Sequence, residues 1–396
     1  MNVLQLISSG GYYGAESVVI TLTHGLAELG CRTVIGVFQN QHRPHTEVAE
    51  AGKQRGLVVE MIQCQGRLDW ATVRAIRNCI YRHHIDIVHT HGYKADIYGY
   101  LAARSLGTPL VATSHFWTRG TVPLRLFEFL DRIILKRFKM IVTVSDDGAR
   151  TLLRVGVPRE QIKTIDNGID LSAFEDASPT LAMEIGKGER VLVGAVGRLV
   201  VQKGFETFLT AARKVLDDFP TTLFVIVGEG PERSRLETLA RDLELDDNVI
   251  FAGRWEDMAG VYASLDLFVL PSIGEGLPMA LLEALASRKA VIATRVAAVP
   301  RVVIPGETGC LVEPRDSEGL RSAMVQLLAA PELRRRLGEN GHAWVKQHFA
   351  SGVMARKYLD LYESVLAERD VKAAQRGKAC ELGNDNQQRA ERGVYS

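Results

Sequence analysis

Short runs of Val, Ile and Leu recur along the chain, each ending in Gly, Ser, His or Asn and each followed by a segment of helical length. Runs that are apolar at consecutive positions suit strands buried on both faces of a parallel sheet, and the segments between them supply crossover helices. In the first half the pattern predicts strands near Val3–Ile7, Thr33–Val37, Ile85–His89, Leu110–Thr113, Met140–Val144 and Ile162–Ile165, with amphipathic stretches such as Glu16–Leu29 between them. In the second half it predicts strands near Val191–Val196, Leu223–Val227, Val249–Phe251, Leu267–Leu270, Val291–Ala293 and Cys310–Val312. The stretch Ser172–Gly188 mixes polarity without a period and reads as a linker.

This alternation predicts an α/β protein of two Rossmann-like domains, residues 1–172 and 189–348, whose parallel sheets face a central cleft. Residues 349–366 look helical and follow a completed second domain, so they are expected to pack back onto the first. The polar tail 371–396 holds few large apolar residues and is expected to be disordered.

Composition narrows the function classes. A chain of 396 residues with 46% hydrophobic content can fill two cores, and a net charge of +1 supplies no global field for nucleic acid. Five cysteines, Cys31, Cys64, Cys79, Cys310 and Cys380, form no CxxC pair, which points away from disulfide scaffolds and zinc knuckles and toward a reducing cytoplasm. The N-terminus lacks a signal-peptide pattern, and no uninterrupted run reaches the roughly 18 apolar residues of a membrane-crossing helix. Residues 124–139 place Leu124, Phe127, Ile134 and Phe138 among Arg125, Arg132, Lys136, Arg137 and Lys139. Such a helix either covers the sheet with its basic face in water or rests on anionic lipid at the inner face of the membrane.

The candidate chemistry follows predicted strands. Glu275 and Glu283 bracket a predicted helix start in Glu275-Gly-Leu-Pro-Met-Ala-Leu-Leu-Glu283, where Gly276 loosens the turn and Pro278 suits the first helical position. Free N–H groups at that helix end suit phosphate, whereas carboxylates repel phosphate and accept hydrogen bonds from hydroxyls. A ligand carrying both phosphate and sugar, a nucleotide sugar, satisfies both requirements. Gly197-Arg-Leu-Val-Val-Gln-Lys-Gly204 puts Arg198 and Lys203 in one loop after a strand, where two cations suit a diphosphate whose charge grows as the glycosidic bond breaks.

Other segments keep two readings open. The glycine-rich Ser8–Glu16 turn, Val227-Gly-Glu-Gly230 and Phe251-Ala-Gly-Arg-Trp255 either shape a nucleotide pocket or are tight strand-to-helix turns. His91 and His115 close predicted strands, as hydroxyl partners in the cleft or as histidines satisfied by local backbone. His89 and His91 lack a third ligand and Asp-x-Asp is absent, so neither a metal nor any cofactor besides the nucleotide-sugar co-substrate is expected.

Taken together, Gly10-Gly11 through Glu16, Val88-His-Thr-His91, Asp166-Asn-Gly-Ile-Asp170, Gly197-Arg198 with Lys203-Gly204, Val227-Gly-Glu-Gly230, and Glu275 with Glu283 resemble the retaining glycosyltransferases of family 4. The resemblance spans nearly the whole chain before the tail and implies the two-domain GT-B fold. It also implies a donor site, most simply for a UDP-sugar, with Gly197, Arg198, Lys203, Gly276 and Leu277 around the diphosphate end, Glu283 on ribose and Glu275 on the donor sugar. Arg254 would border the base, Gly11 would approach the phosphates, His115 would contact the sugar near the reacting carbon, and the first domain would hold a glycan or lipid-linked acceptor. One position departs: the family's Gly-Gly-x-Pro-Glu is Ala297-Ala-Val-Pro-Arg301 here, a reversed charge beside the expected donor pocket. Two rival functions remain, a nucleotide-sugar epimerase or phosphorylase, and a nucleotide-sugar-binding regulatory protein without transfer.

Overall fold

The computed structural model describes residues 1–8, 14–40, 46–66, 69–114 and 133–369, and in it the apolar runs assemble into two wholly parallel sheets. The first contains β1 (Asn2–Ile7), β2 (Arg32–Asn40), β3 (Val58–Cys64), β4 (Ile87–His91), β5 (Leu110–Ser114), β6 (Met140–Thr143) and β7 (Ile162–Thr164), in the order β3-β2-β1-β4-β5-β6-β7. The second contains β8 (Leu192–Val196), β9 (Leu223–Val227), β10 (Val249–Gly253), β11 (Leu267–Leu270), β12 (Ala290–Thr294) and β13 (Cys310–Val312), in the order β10-β9-β8-β11-β12-β13. The central strands β9, β11 and β12 are buried at every position, as consecutive apolar residues require when helices cover both faces.

In both sheets the strand order reverses beside the first strand, between β1 and β4 and between β8 and β11. A crevice forms outside the carboxyl ends of strands at such a reversal, because the flanking connections leave on opposite faces. The segments after β1, β4, β8 and β11 are therefore the ones that topology brings to a ligand.

Some elements differ from the sequence expectation for a local reason. The edge strand β3 is absent from the predicted set because Val58-Val-Glu-Met-Ile-Gln-Cys64 is only half buried, with Val58 51% exposed, and its polar residues interrupt the apolar run. Strand β4 starts two residues later than predicted, since the Asp86 carboxylate leaves the strand to accept a hydrogen bond from Asn2 N–H at 2.8 Å. The stretch Ser172–Gly188 contains the helix Thr180–Glu184, anchored by the fully buried Leu181 and by a Thr180 hydroxyl bond to Asp257.

The chain crosses between the sheets twice, side by side. Ile169 N–H donates to Phe349 O at 2.8 Å, and Ser351 N–H donates back to Ile169 O at 2.8 Å. Beyond this point residues 351–369 are helical and lie on the first sheet. There the Tyr362 hydroxyl meets His89 Nδ1 at 2.6 Å and accepts from Gln5 Nε2 at 3.3 Å, while His89 Nε2 meets Thr113 Oγ1 at 2.7 Å and Thr113 meets the Tyr358 hydroxyl at 2.9 Å. The expected tail 371–396 lies outside the described residues.

Candidate functional site

The helix Met279–Ala286 follows β11 and begins one residue later than the sequence suggests: Pro278 is extended at φ −73°, ψ 125° and precedes the first helical residue. No side chain caps this helix start; Leu281 N–H donates to Pro278 O at 3.2 Å, which leaves the N–H groups of Met279 and Ala280 for an anion. Ahead of it, Thr294 Oγ1 donates to Ser272 O at 2.5 Å, and Ser272 Oγ donates to Glu275 Oε1 at 2.6 Å. Lys203 Nζ, arriving from the loop after β8, reaches the same oxygen at 2.6 Å. With side chains 22% and 10% exposed, Lys203 and Glu275 form a sheltered pair, and both bonds fall on Oε1.

Glu283 lies one helical turn into the helix and accepts a hydrogen bond on Oε2 from the Tyr262 hydroxyl at 2.7 Å. Tyr262 is fully buried and fixed edge-on between Phe174 and Phe268, with ring centroids 6.1 and 5.7 Å away. Burial raises the Glu283 carboxyl above the usual range, opposed by the Tyr262 bond and by the charge of Lys203. Lys203 thus serves two carboxylates electrostatically. Tyr262 and Ser272 escaped the sequence reading, because nothing local marks a residue whose role is to aim a carboxylate from another element.

Gly204 closes this loop at φ +67°, and a Cβ there would lie 2.0 Å from Pro271 O, so the close approach of the β8 and β11 loops requires glycine. Arg198 in the same loop is exposed toward solvent. At Gly228 and Gly230 a Cβ would sit 2.0 Å from Gly197 O and 2.3 Å from Leu199 O, and Leu199 N–H donates to Glu229 O at 2.9 Å. Their glycines let one loop stack on the other. Arg254 is exposed just after β10.

Residues of both domains close over Lys203 and Glu275. A cavity of about 200 Å³ is lined by Ala15, Val144 and Asn167 from the first and by Lys203, Glu275 and Met279 from the second. Asn167 Nδ2 donates to Leu277 O at 3.0 Å, and a Cβ on Gly14 would stand 3.4 Å from Met279 Cγ. Gly11 and His115 lie outside the described residues, as does 124–132 of the basic segment. In its described remainder Leu135 and Phe138 are buried, with Lys136 and Arg137 outward.

At the reversal of the first sheet a second cavity, about 180 Å³, is lined by Ser8, Glu16, His91, Tyr93, Asp96 and Ser114. His91 reaches it while bonding Gln5 Oε1 through Nε2 at 2.8 Å, whereas His89 is wholly buried in the network with Tyr362. The histidine pair therefore divides into one cavity residue and one core residue. A larger cavity of about 330 Å³ between the helices Phe205–Val215 and Arg233–Asp242 contains none of the predicted site residues. Among the described residues no group of three or more His, Cys, Asp or Glu side chains could hold a metal ion, and no helix is long and apolar enough to cross a membrane.

Residues 12–173 match the family model described as Glycosyltransferase Family 4, and residues 183–344 match the one described as Glycosyl transferases group 1. The alpha-D-kanosaminyltransferase of Streptomyces kanamyceticus is 32% identical over 273 residues, covering 64% of this chain and 70% of the relative. The chain belongs to glycosyltransferase family 4. A second family relative, the phosphatidyl-myo-inositol mannosyltransferase of Mycolicibacterium smegmatis, is 28% identical over 358 residues, 89% of this chain and 90% of its own. Anabaena HepE in complex with UDP-glucose superposes with a TM-score of 0.80 at 21% identity over 92% of this chain and 100% of that one, a likeness of fold. This glycosyltransferase accordingly has the GT-B architecture of two facing Rossmann-like domains.

Proposed function

We propose that the protein transfers a sugar, with retention, from a UDP-sugar to a hydroxyl of a glycan or lipid-linked acceptor in cell-surface polysaccharide or glycolipid synthesis. One observation carries this reading. The paired Lys203 and Glu275 and the helix start at Met279 line one interdomain cavity, and Glu283, aimed by Tyr262, lies one turn further along that helix. The donor's diphosphate would take Lys203, Arg198 and the first-turn N–H groups of the helix at Met279, with the Gly197 and Gly276–Leu277 backbone alongside. Glu275 would then turn to a sugar hydroxyl, Oε1 of Glu283 would accept from ribose, and Arg254 would border the base. Gly11 and His115 complete the proposed set from the first domain.

In this arrangement residues 189–348 hold the donor and residues 1–172, with the cavity at His91, hold the acceptor. The two glutamates are binding groups, since Glu275 is tied to Lys203 and Ser272 and Glu283 to Tyr262, and neither is left to protonate a leaving group. Transfer proceeds on one face: the bond from C1 to the diphosphate oxygen breaks, the bond from C1 to the acceptor oxygen forms, and the acceptor proton passes to the departing phosphate. Arg198 and Lys203 stabilise the charge that accumulates there, without a metal ion. That UDP-glucose occupies HepE supports uridine as the base. The outward Lys136 and Arg137, with Ile133 50% exposed, support contact with anionic lipid at the cytoplasmic membrane face.

Thermal-shift measurements with UDP-, GDP- and ADP-sugars test the donor assignment, because a ligand that binds only the folded state raises the melting temperature. A UDP-sugar is expected to give the largest rise, and a larger rise with GDP- or ADP-sugars overturns the choice of base. Analysis of labelled product then separates transfer from epimerised nucleotide sugar or free sugar phosphate.

A further inference from the structure

Arg301 lies in a short helix, Val299–Val302, in the second domain, yet its guanidinium reaches the first. Nη2 lies 2.7 Å from Asp166 Oδ1 and donates to the Val144 carbonyl at 3.1 Å. Asp166 Oδ1 is buried and is poorly aligned for a hydrogen bond, so the Asp166 contact is a close charge pair while Val144 supplies the direction. The backbone of Arg301 is held in turn by Trp344, whose Nε1 donates to its carbonyl at 3.3 Å.

Asp166 stands just before the place where the chain crosses between domains. A Cβ on Gly168 would lie 2.8 Å from Met354 Cβ, and Ile169 is bridged to Phe349 and Ser351. The loop that carries Glu275 is held by neighbours of both members of the pair: Asn167, next to Asp166, donates to Leu277 O at 3.0 Å, and Ala298 N–H, just before the helix of Arg301, donates to Gly276 O at 3.2 Å. A rotation about the crossing that separates Arg301 from Asp166 also pulls Asn167 from Leu277.

We infer that Arg301 and Asp166 are positioning residues forming a latch across the hinge, which sets the domain arrangement in which the Glu275–Leu277 loop receives the donor. The inference rests on the cleft being the donor site. Neither residue lines the cavity. Their pair shifts the equilibrium between domain arrangements, and a charge reversal at 301 sets like charges against each other at the hinge.

Arg301→Glu, Asp166→Arg and the double variant, in the full-length chain, test this through UDP titration, donor KM and kcat, and small-angle scattering. Each single variant is expected to weaken UDP binding about five- to tenfold and raise donor KM more than it lowers kcat, with a larger radius of gyration. The double variant, which restores the pair with its charges exchanged, is expected to return within about twofold of the parent. Singles that leave affinity and scattering unchanged, or a folded double variant no better than either single, overturn the latch. If the parent itself binds no UDP, the donor-site reading fails instead, and the scattering of the single variants still decides whether the hinge is latched.

Discussion

Lys203 holds Glu275 directly and Glu283 through its field, so the ligand-free cluster would keep its cation ready for the proposed diphosphate. Arg198, exposed in the same loop, is proposed to add the second cation. Its removal by Arg198→Ala is expected to lower kcat/KM about 10²- to 10³-fold, the scale of losing one preorganised stabiliser of developing charge; steady-state turnover close to the parent would contradict its role. Glu283 gives a prediction of opposite sign for stability and binding. Its raised pKa means that the folded protein holds this proton more tightly than the unfolded chain. Its favourable contribution is thus complete below the ordinary glutamate pKa of about 4.3 and is lost as pH rises through the raised value. Glu283→Gln is therefore expected to raise the melting temperature of the ligand-free protein by about 1–3 °C at about pH 7.5 and not at about pH 4, while weakening UDP-sugar binding. Scanning fluorimetry at both pH values, with and without UDP-sugar, reads both effects, and a lower melting temperature at the higher pH contradicts the assignment. The charged residues of this cluster were legible in the sequence because each follows a strand that topology delivers to the cleft. Tyr262, Ser272 and the grip of Asn167 on Leu277 were not, since each depends on a contact between distant segments.

The loops after β8 and β11 function as one element because Gly204 lets them touch. A Cβ at this position meets Pro271 O at 2.0 Å and also strains a backbone at φ +67°. Gly204→Ala is expected to cost about 3 kcal/mol or more, combining a backbone clash with the strain of a left-handed residue. Gly274→Ala is the control, since nothing lies within 4 Å of its added carbon. Equal urea midpoints for the two variants would refute the loop-packing argument. Strands with continuous apolar runs, such as Leu223–Val227 and Leu267–Leu270, were legible to the residue because burial on both faces leaves no ambiguity. The half-exposed β3 was not, and neither was the helix Thr180–Glu184, whose single buried Leu181 sets no period.

At the scale of the molecule, the helical stretch 351–369 ties the end of the second domain to the core of the first through Tyr358 and Tyr362. Tyr362→Phe removes the buried hydroxyl that meets His89 Nδ1 and accepts from Gln5 Nε2, so it is expected to destabilise by about 1–3 kcal/mol in equilibrium urea unfolding. A loss within error would show that these groups find other partners. Two facing domains and a returning helix make a cleft whose walls belong to different domains, and the glycosyl donor is proposed to bind where they meet. Calorimetric titration of UDP-glucose and UDP into the full-length protein and its Arg198→Ala and Glu283→Gln variants tests that claim most directly. The account predicts binding of both ligands by the parent and at least about tenfold weaker binding by each variant; parent-like affinity in both variants, or no binding of either nucleotide by the parent, would contradict it.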